Sequence, residues 1–254
     1  MDSPSSGDVR VISSRTILAL SCLLPPVTVL SCLIGFSLDA RWLLPLLASL
    51  PAWAGLALPL RAGRRGLAVT MVLWWAMWLA VSSVGLTLCW PERAGSVILN
   101  GVEYRDEMFQ WILTGLGKES SPAQFIPQHL LHAGVFCLAA VVSGGALALV
   151  MGAALLDYMG FYVGELIARC AGSGHVARAL LLAWNPWSVI RIVSFVILGV
   201  VLAEPLIGKL LGGSAPSGGR RWWILAALAG LLADMALKAS LAPLWPGLLS
   251  GCLD

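Results

Sequence analysis

The feature that most limits what this chain can fold into is a succession of apolar runs, each about twenty residues long, parted by short links carrying charge, proline or glycine. Coiled as a helix at about 1.5 Å per residue, such a run matches the roughly 30 Å hydrocarbon core of a bilayer. Lipid offers no hydrogen-bond partner to the backbone, so each run must satisfy its own N–H and C=O groups, which a helix does. The expectation is an all-α integral membrane protein, a polytopic bundle of about seven transmembrane helices. Charged residues make up only 11% of the chain, against roughly 25% in soluble domains. The lipid bilayer is therefore its first partner. The net charge of +3 comes from basic residues gathered at the ends of the runs, where they set topology, so no nucleic-acid partner is implied.

Read in order, residues 1–16 form a polar tail, assigned to the cytoplasm. The first run, 17–36, is longer than a signal-peptide core and lacks a small-x-small cleavage site after it, so it reads as an uncleaved span. Runs at 42–60 and 67–90 complete a first group of three spans over 17–90. Arg61, Arg64 and Arg65 lie between the last two. This densest basic cluster places that link in the cytoplasm and fixes the alternation of the rest, with the N-terminus inside. The localisation expected is a bacterial cytoplasmic (inner) membrane.

Residues 91–128 are the one substantial loop, non-cytoplasmic in this alternation, with five acidic residues against three basic. Glu103, Glu107, Gln110 and Thr114 recur at helical spacing on one face, and Tyr104, Met108, Ile112 and Leu116 on another. That pattern predicts an amphipathic helix lying on the outer face or capping the bundle.

Residues 129–254 hold the remaining spans. The stretch from 129 to 169 is about 40 mostly apolar residues, too long for one crossing. Ser143, Gly144 and Gly145 supply a turn between spans at 129–146 and 148–168; one span plus a re-entrant piece would give six crossings instead of seven. An interfacial segment follows near 171–187, where Trp184 and Trp187 suit the headgroup region. Spans at 188–208 and 222–242 flank a cytoplasmic turn from Gly212 to Gly219. The six cysteines contain no C-x-x-C pair and read as small apolar packing residues.

Three groups of residues carry chemistry at these positions. The first is Glu103, Glu107, His129 and His132. The histidines stand at i and i+3 on one helix face, and a carboxylate from the amphipathic helix would complete a three-ligand site for a divalent metal with an open position for water. Without metal, Glu107 would act as general base beside His129 and His132. The second is Asp157 and Glu165 with Tyr158 and Tyr162, ionisable groups inside a span that tend to face a cavity or partner. The third is Asp234 and Lys238, whose i, i+4 spacing suits a local ion pair. Arg191 would sit at an interface or reach toward the outer-face acids. Gly144, Ala148 and Gly152, and likewise Gly160 and Gly164, follow the small-xxx-small spacing of close helix contacts.

Residues 129–164, HLLHAGVFCLAAVVSGGALALVMGAALLDYMGFYVG, resemble the small-residue core of the stage II sporulation protein M-like membrane family, and that resemblance carries no function with it. The H-E-x-x-H, P-loop and dinucleotide motifs are absent. Two functions compete. A transport or assembly subunit, working with other membrane subunits, would use the buried charges Asp157, Glu165, Asp234 and Lys238. A membrane-embedded hydrolase or transferase would use Glu107, His129 and His132 on a lipid-linked or membrane-peptide substrate at the outer face.

Overall fold

In the computed structural model, described for residues 14–212 and 218–253, the regular structure is helical and no strand occurs among those residues. The chain runs through α1 (Ser14–Ser37), α2 (Leu43–Arg61), α3 (Arg65–Cys89), α4 (Pro91–Val97), α5 (Gly101–Thr114) and α6 (Pro122–Ser143). It continues as α7 (Ala146–Ser173), α8 (Val176–Leu182), α9 (Pro186–Leu211), α10 (Arg220–Leu241) and α11 (Trp245–Leu249). Seven of these, all but α4, α5, α8 and α11, are long and apolar enough to cross a membrane. Most of the expected tail, 1–16, and most of the expected turn, Gly212–Gly219, lie outside the described residues.

The stretch from 129 to 169 forms two helices, and the turn between them falls where its residue types put it. Gly144 and Gly145 adopt φ of 58° and 87°, left-handed values that cost glycine least. Ser143 Oγ donates to the Ala139 carbonyl at 2.6 Å and accepts from the Leu147 amide at 2.9 Å, binding the end of one helix to the start of the next. The helix α6 begins at Pro122 rather than at His129. Proline suits the first turn of a helix, where its missing N–H would have had no partner.

α7 is the axis of the bundle and packs against α2, α3, α5 and α6. Its closest approach is to α3, at Gly160 and Gly164. A Cβ on Gly160 would lie 2.6 Å from Ser83 Cβ, and one on Gly164 would lie 2.7 Å from Thr87 Cβ. This pair is the small-xxx-small contact expected from its spacing. Gly144, Ala148 and Gly152 do not make another. Gly144 caps α6, and Gly152 meets nothing within 4 Å. α2 and α3 are joined by the buried Trp75, whose indole N–H donates to the Ala48 carbonyl at 2.8 Å. α1 and α10 form opposite flanks, α1 on α2 and α3, α10 on α9. Their outward rows, Leu18, Leu23 and Leu30 on α1 and Leu225, Leu228 and Leu232 on α10, are exposed leucines suited to lipid.

The short helices gather at one end, called here the α5 end. Met108, Phe109, Trp111 and Ile112 of α5 are buried against Tyr162, Leu166 and Cys170 of α7. Glu103, Asp106 and Gln110 face outward. The amphipathic helix thus caps the bundle, although Leu116, assigned to its apolar face, lies past its end and is exposed. Trp187, expected in the headgroup region, is fully buried, its ring 5.0 Å from that of Trp245. Trp245 in turn donates its N–H to the Leu182 carbonyl at 3.0 Å, so Trp187 and Trp245 lock α8, α9 and α11 together. At the opposite end, Arg65 holds Glu204 through two hydrogen bonds of 2.9 and 3.0 Å, tying the start of α3 to α9.

Candidate functional site

A cavity of about 150 Å³ runs inside the bundle between α3, α6, α7 and α9. Its two halves differ in chemistry. Toward the α5 end the walls are Tyr104, Glu119, His129, His132, Tyr158 and Arg191, with Gln128 and Ser188 beside them. Toward the opposite end they are apolar, among them Trp75, Phe136, Leu149, Phe195 and Val200. The floor of the apolar half is Leu56 and Gly145.

The polar half is assembled from helices distant in sequence. Arg191, one turn into α9, clamps Asp234 of α10: Nε donates to Oδ2 and Nη2 to Oδ1, both at 2.8 Å. Both bonds use the fork geometry that makes arginine–carboxylate pairs strong. The Asp234 carboxylate is 1% exposed, and its Oδ2 lies 3.9 Å from Nδ1 of His129. His129 is itself buried and its Nδ1 has no hydrogen-bond partner among the described residues. Lys238 of α10, 0% exposed, pairs with Glu119 at 2.8 Å and stands 4.6 Å over the Phe125 ring. Glu119 lies in the 3-10 turn Lys118–Ser120 that leads into α6, so this ion pair fastens the loop to the bundle.

Asp234 and Lys238 therefore do not neutralise each other as their i, i+4 spacing predicts. Each is taken by a partner on another element. A guanidinium fork and a carboxylate reaching in from the loop offer better geometry than two side chains one turn apart.

Of the four expected metal ligands, His129 and His132 line the cavity, but Glu103 and Glu107 do not. Glu103 is exposed on the outer face of α5, and Glu107 pairs with Lys118 at 3.1 Å. The amphipathic helix turns its acidic face outward because its apolar face is needed against α7. Among the described residues, no three His, Cys, Asp or Glu side chains are grouped so as to hold a metal ion.

Of the second group, Tyr158 lines the cavity, while Asp157 and Glu165 do not. Glu165 is 3.5 Å from Arg105 at the α5 end. Asp157 is 2% exposed and accepts a 2.5 Å hydrogen bond from Ser83 across the α3–α7 contact, while its Oδ2 has no hydrogen-bond partner among the described residues. Tyr104 of α5, whose ring centroid lies 4.5 Å from that of Tyr158, was placed by sequence on the apolar face and given no role. Burial, with the Glu119 carboxylate adding to it, pushes the Tyr104 phenol well above its ordinary value, so at neutral pH it is an O–H donor at the cavity wall. Glu119 was also missed, counted only among the five acidic residues of the 91–128 loop.

Together these features define an all-helical chain with seven membrane-length helices around a cavity polar at one end and apolar at the other. No protein-family model, curated protein or solved structure matches it, so the resemblance of residues 129–164 to the sporulation-protein family finds no support.

Proposed function

We propose that this chain is a membrane-embedded hydrolase or transferase acting on a lipid-linked or membrane-peptide substrate, with its polar chemistry at the α5 end. The observation that carries this reading is the His129–Asp234–Arg191 arrangement at the polar end of an otherwise apolar cavity. A shift of about 1 Å would bring His129 Nδ1 into hydrogen-bond range of Asp234, and such contacts are commonly long before substrate binds. Asp234, held by Arg191, would then orient the imidazole and stabilise its protonated form. Nε2 of His129 takes the proton from the attacking water or acceptor hydroxyl. The new bond forms at the carbonyl or phosphoryl centre, and the developing oxyanion is met by Arg191 and the Tyr104 hydroxyl. His132, on the same helix face, gives a proton to the leaving group as its bond breaks. Glu107, which pairs with Lys118, is not the base in this scheme; His129 takes that part, oriented by Asp234.

The rival reading, a transport or assembly subunit, relies on Asp157, Glu165, Asp234 and Lys238. Three of these are paired, Glu165 with Arg105, Asp234 with Arg191 and Lys238 with Glu119. Such pairing suits holding helices together better than moving a charge. The tightest basic clusters, Arg61 with Arg64 and Arg65, and Arg220 with Arg221, lie at the end opposite α5, which would be cytoplasmic in a bacterial inner membrane, while Arg41, Arg93, Arg105, Lys118, Arg169 and Arg178 stand singly toward the α5 end.

The test is lipid and peptide mass spectrometry of material co-purifying with the chain. A folded variant with His129→Ala and His132→Ala should retain an amphipathic molecule that the wild-type chain has converted and released. The same co-purified molecules in both chains would count against acid–base chemistry here.

A further inference from the structure

We infer that the apolar half of the cavity is a binding chamber for a single hydrocarbon chain of an amphiphile whose polar head lies among His129, His132 and Arg191, and that Gly152 sets the length of chain accepted. This rests on the reading that the cavity is the substrate site, and it adds the class of substrate. From Tyr158 to Gly145 the α7 wall is about 20 Å long at 1.5 Å per residue. That length takes in the polar half as well, so the apolar half is about 10 Å long, room for a tail of about six to eight carbons. A volume of about 150 Å³ is that of a cavity that takes a ligand of about six carbons, so it admits one short chain, or the first carbons of a longer one, and not two abreast.

Two independent features point to a ligand. The first is at the head end, where the buried His129 lines the cavity beside His132 and Arg191; its Nδ1, 3.9 Å from Asp234 Oδ2, has no hydrogen-bond partner among the described residues. The second is on the chamber wall, where Gly145, Ala148 and Gly152 succeed one another along the face of α7 turned to the cavity. Of these, Gly145 and Ala148 are already hemmed in: a Cβ on Gly145 would meet Leu56 and Ala203, and Ala148 is 2% exposed. Gly152 differs. It lies midway along the α7 wall, and a Cβ there meets no heavy atom within 4 Å. A glycine inside a helix lowers stability by about 0.5–1 kcal/mol relative to alanine, and at Gly152 no neighbouring atom requires it. The space it leaves open is the space a chain would occupy.

The experiment uses the full chain in nanodiscs of a two-chain phosphatidylcholine, challenged with single-chain lysophosphatidylglycerols of about four to about twelve carbons and read by native mass spectrometry. In the wild-type chain, affinity should rise by about fourfold per methylene while the tail lengthens within the chamber, then level off. Gly152→Leu should abolish the gain for longer tails, a loss of about tenfold or more for the longest, and leave the shortest probes unchanged. Gly152→Ala, which keeps the helix intact, should shift the plateau in the same direction by less. A flat length profile, equal binding of the two-chain phosphatidylglycerol, or an unchanged profile in a folded Gly152→Leu chain would overturn the inference. A retained length profile with no difference in co-purified molecules between wild type and the double histidine variant would remove the catalytic reading and leave the chamber standing.

Discussion

Arg191 and Asp234 meet across α9 and α10 through two parallel hydrogen bonds of 2.8 Å, with the carboxylate 1% exposed. A pair of this kind makes the two helices interdependent. Removing one partner strands a charge and costs about 3–5 kcal/mol, whereas replacing both with apolar side chains is often neutral.

Arg191→Met alone should therefore lower the unfolding temperature sharply, by a loss of about 3 kcal/mol or more. Arg191→Met combined with Asp234→Leu should recover most of that loss. Arg191→Lys should recover little, because an ammonium cannot reproduce the fork. Thermal unfolding of the four chains in nanodiscs checks this, and additive losses in the double variant would mean that the pair is not coupled.

The Lys238–Glu119 pair predicts a local rather than a global effect. Lys238 is 0% exposed and its partner lies in the short turn ahead of α6. Lys238→Met should raise hydrogen exchange over residues 118–125 while α7 stays protected, since that turn reaches α10 through this contact. Unchanged exchange there would show that the turn is held by its other neighbours.

Both pairs show what was legible in the sequence and what was not. The seven membrane-length helices and the Gly144–Gly145 turn could be read because they follow from run length and residue type, which are local properties. So could the Gly160–Gly164 contact, because the demand for small residues falls on one helix whatever the partner. The cavity was not legible. Its charges come from positions 43 residues apart in Arg191–Asp234, and from a loop glutamate facing a lysine in the last long helix. Sequence spacing reports neighbours on one helix, so Asp234 and Lys238 read as a pair. In the bundle each finds a better partner on another element. The same limit explains the acidic face of α5. Its periodicity showed two faces, but only packing decides that the apolar one turns inward and carries Glu103 and Glu107 away from the histidines.

Two glycines on α7 should respond oppositely to substitution. Gly160→Leu must displace Ser83 and Val84 of α3, since even a Cβ would lie 2.6 Å from Ser83 Cβ; overpacking of this kind costs about 1–3 kcal/mol or more. Gly152→Ala should be neutral or stabilising by up to about 1 kcal/mol, because the helix gains and nothing is struck. Equal destabilisation by both changes would contradict the α3–α7 contact as the tight one.

Orientation can be tested with a cysteine already present. Cys89 is exposed at the last residue of α3, on the α5 end, whereas Cys32 and Cys170 are buried. Maleimides react with the thiolate, which forms in water and not in hydrocarbon. Exposed Cys22, within the apolar run of α1, should therefore label slowly despite its accessibility. With the α5 end outside, a membrane-impermeant maleimide applied to intact cells should label Cys89 without permeabilisation. In a chain with Cys89→Ser and Arg64→Cys, the new thiol lies in the basic link between α2 and α3. It should react only after permeabilisation, because that link is retained on the cytoplasmic side by Arg61 and Arg65. The reverse order of labelling would turn the bundle over, place the polar half of the cavity on the cytoplasmic side, and move the search for its substrate to the inner leaflet.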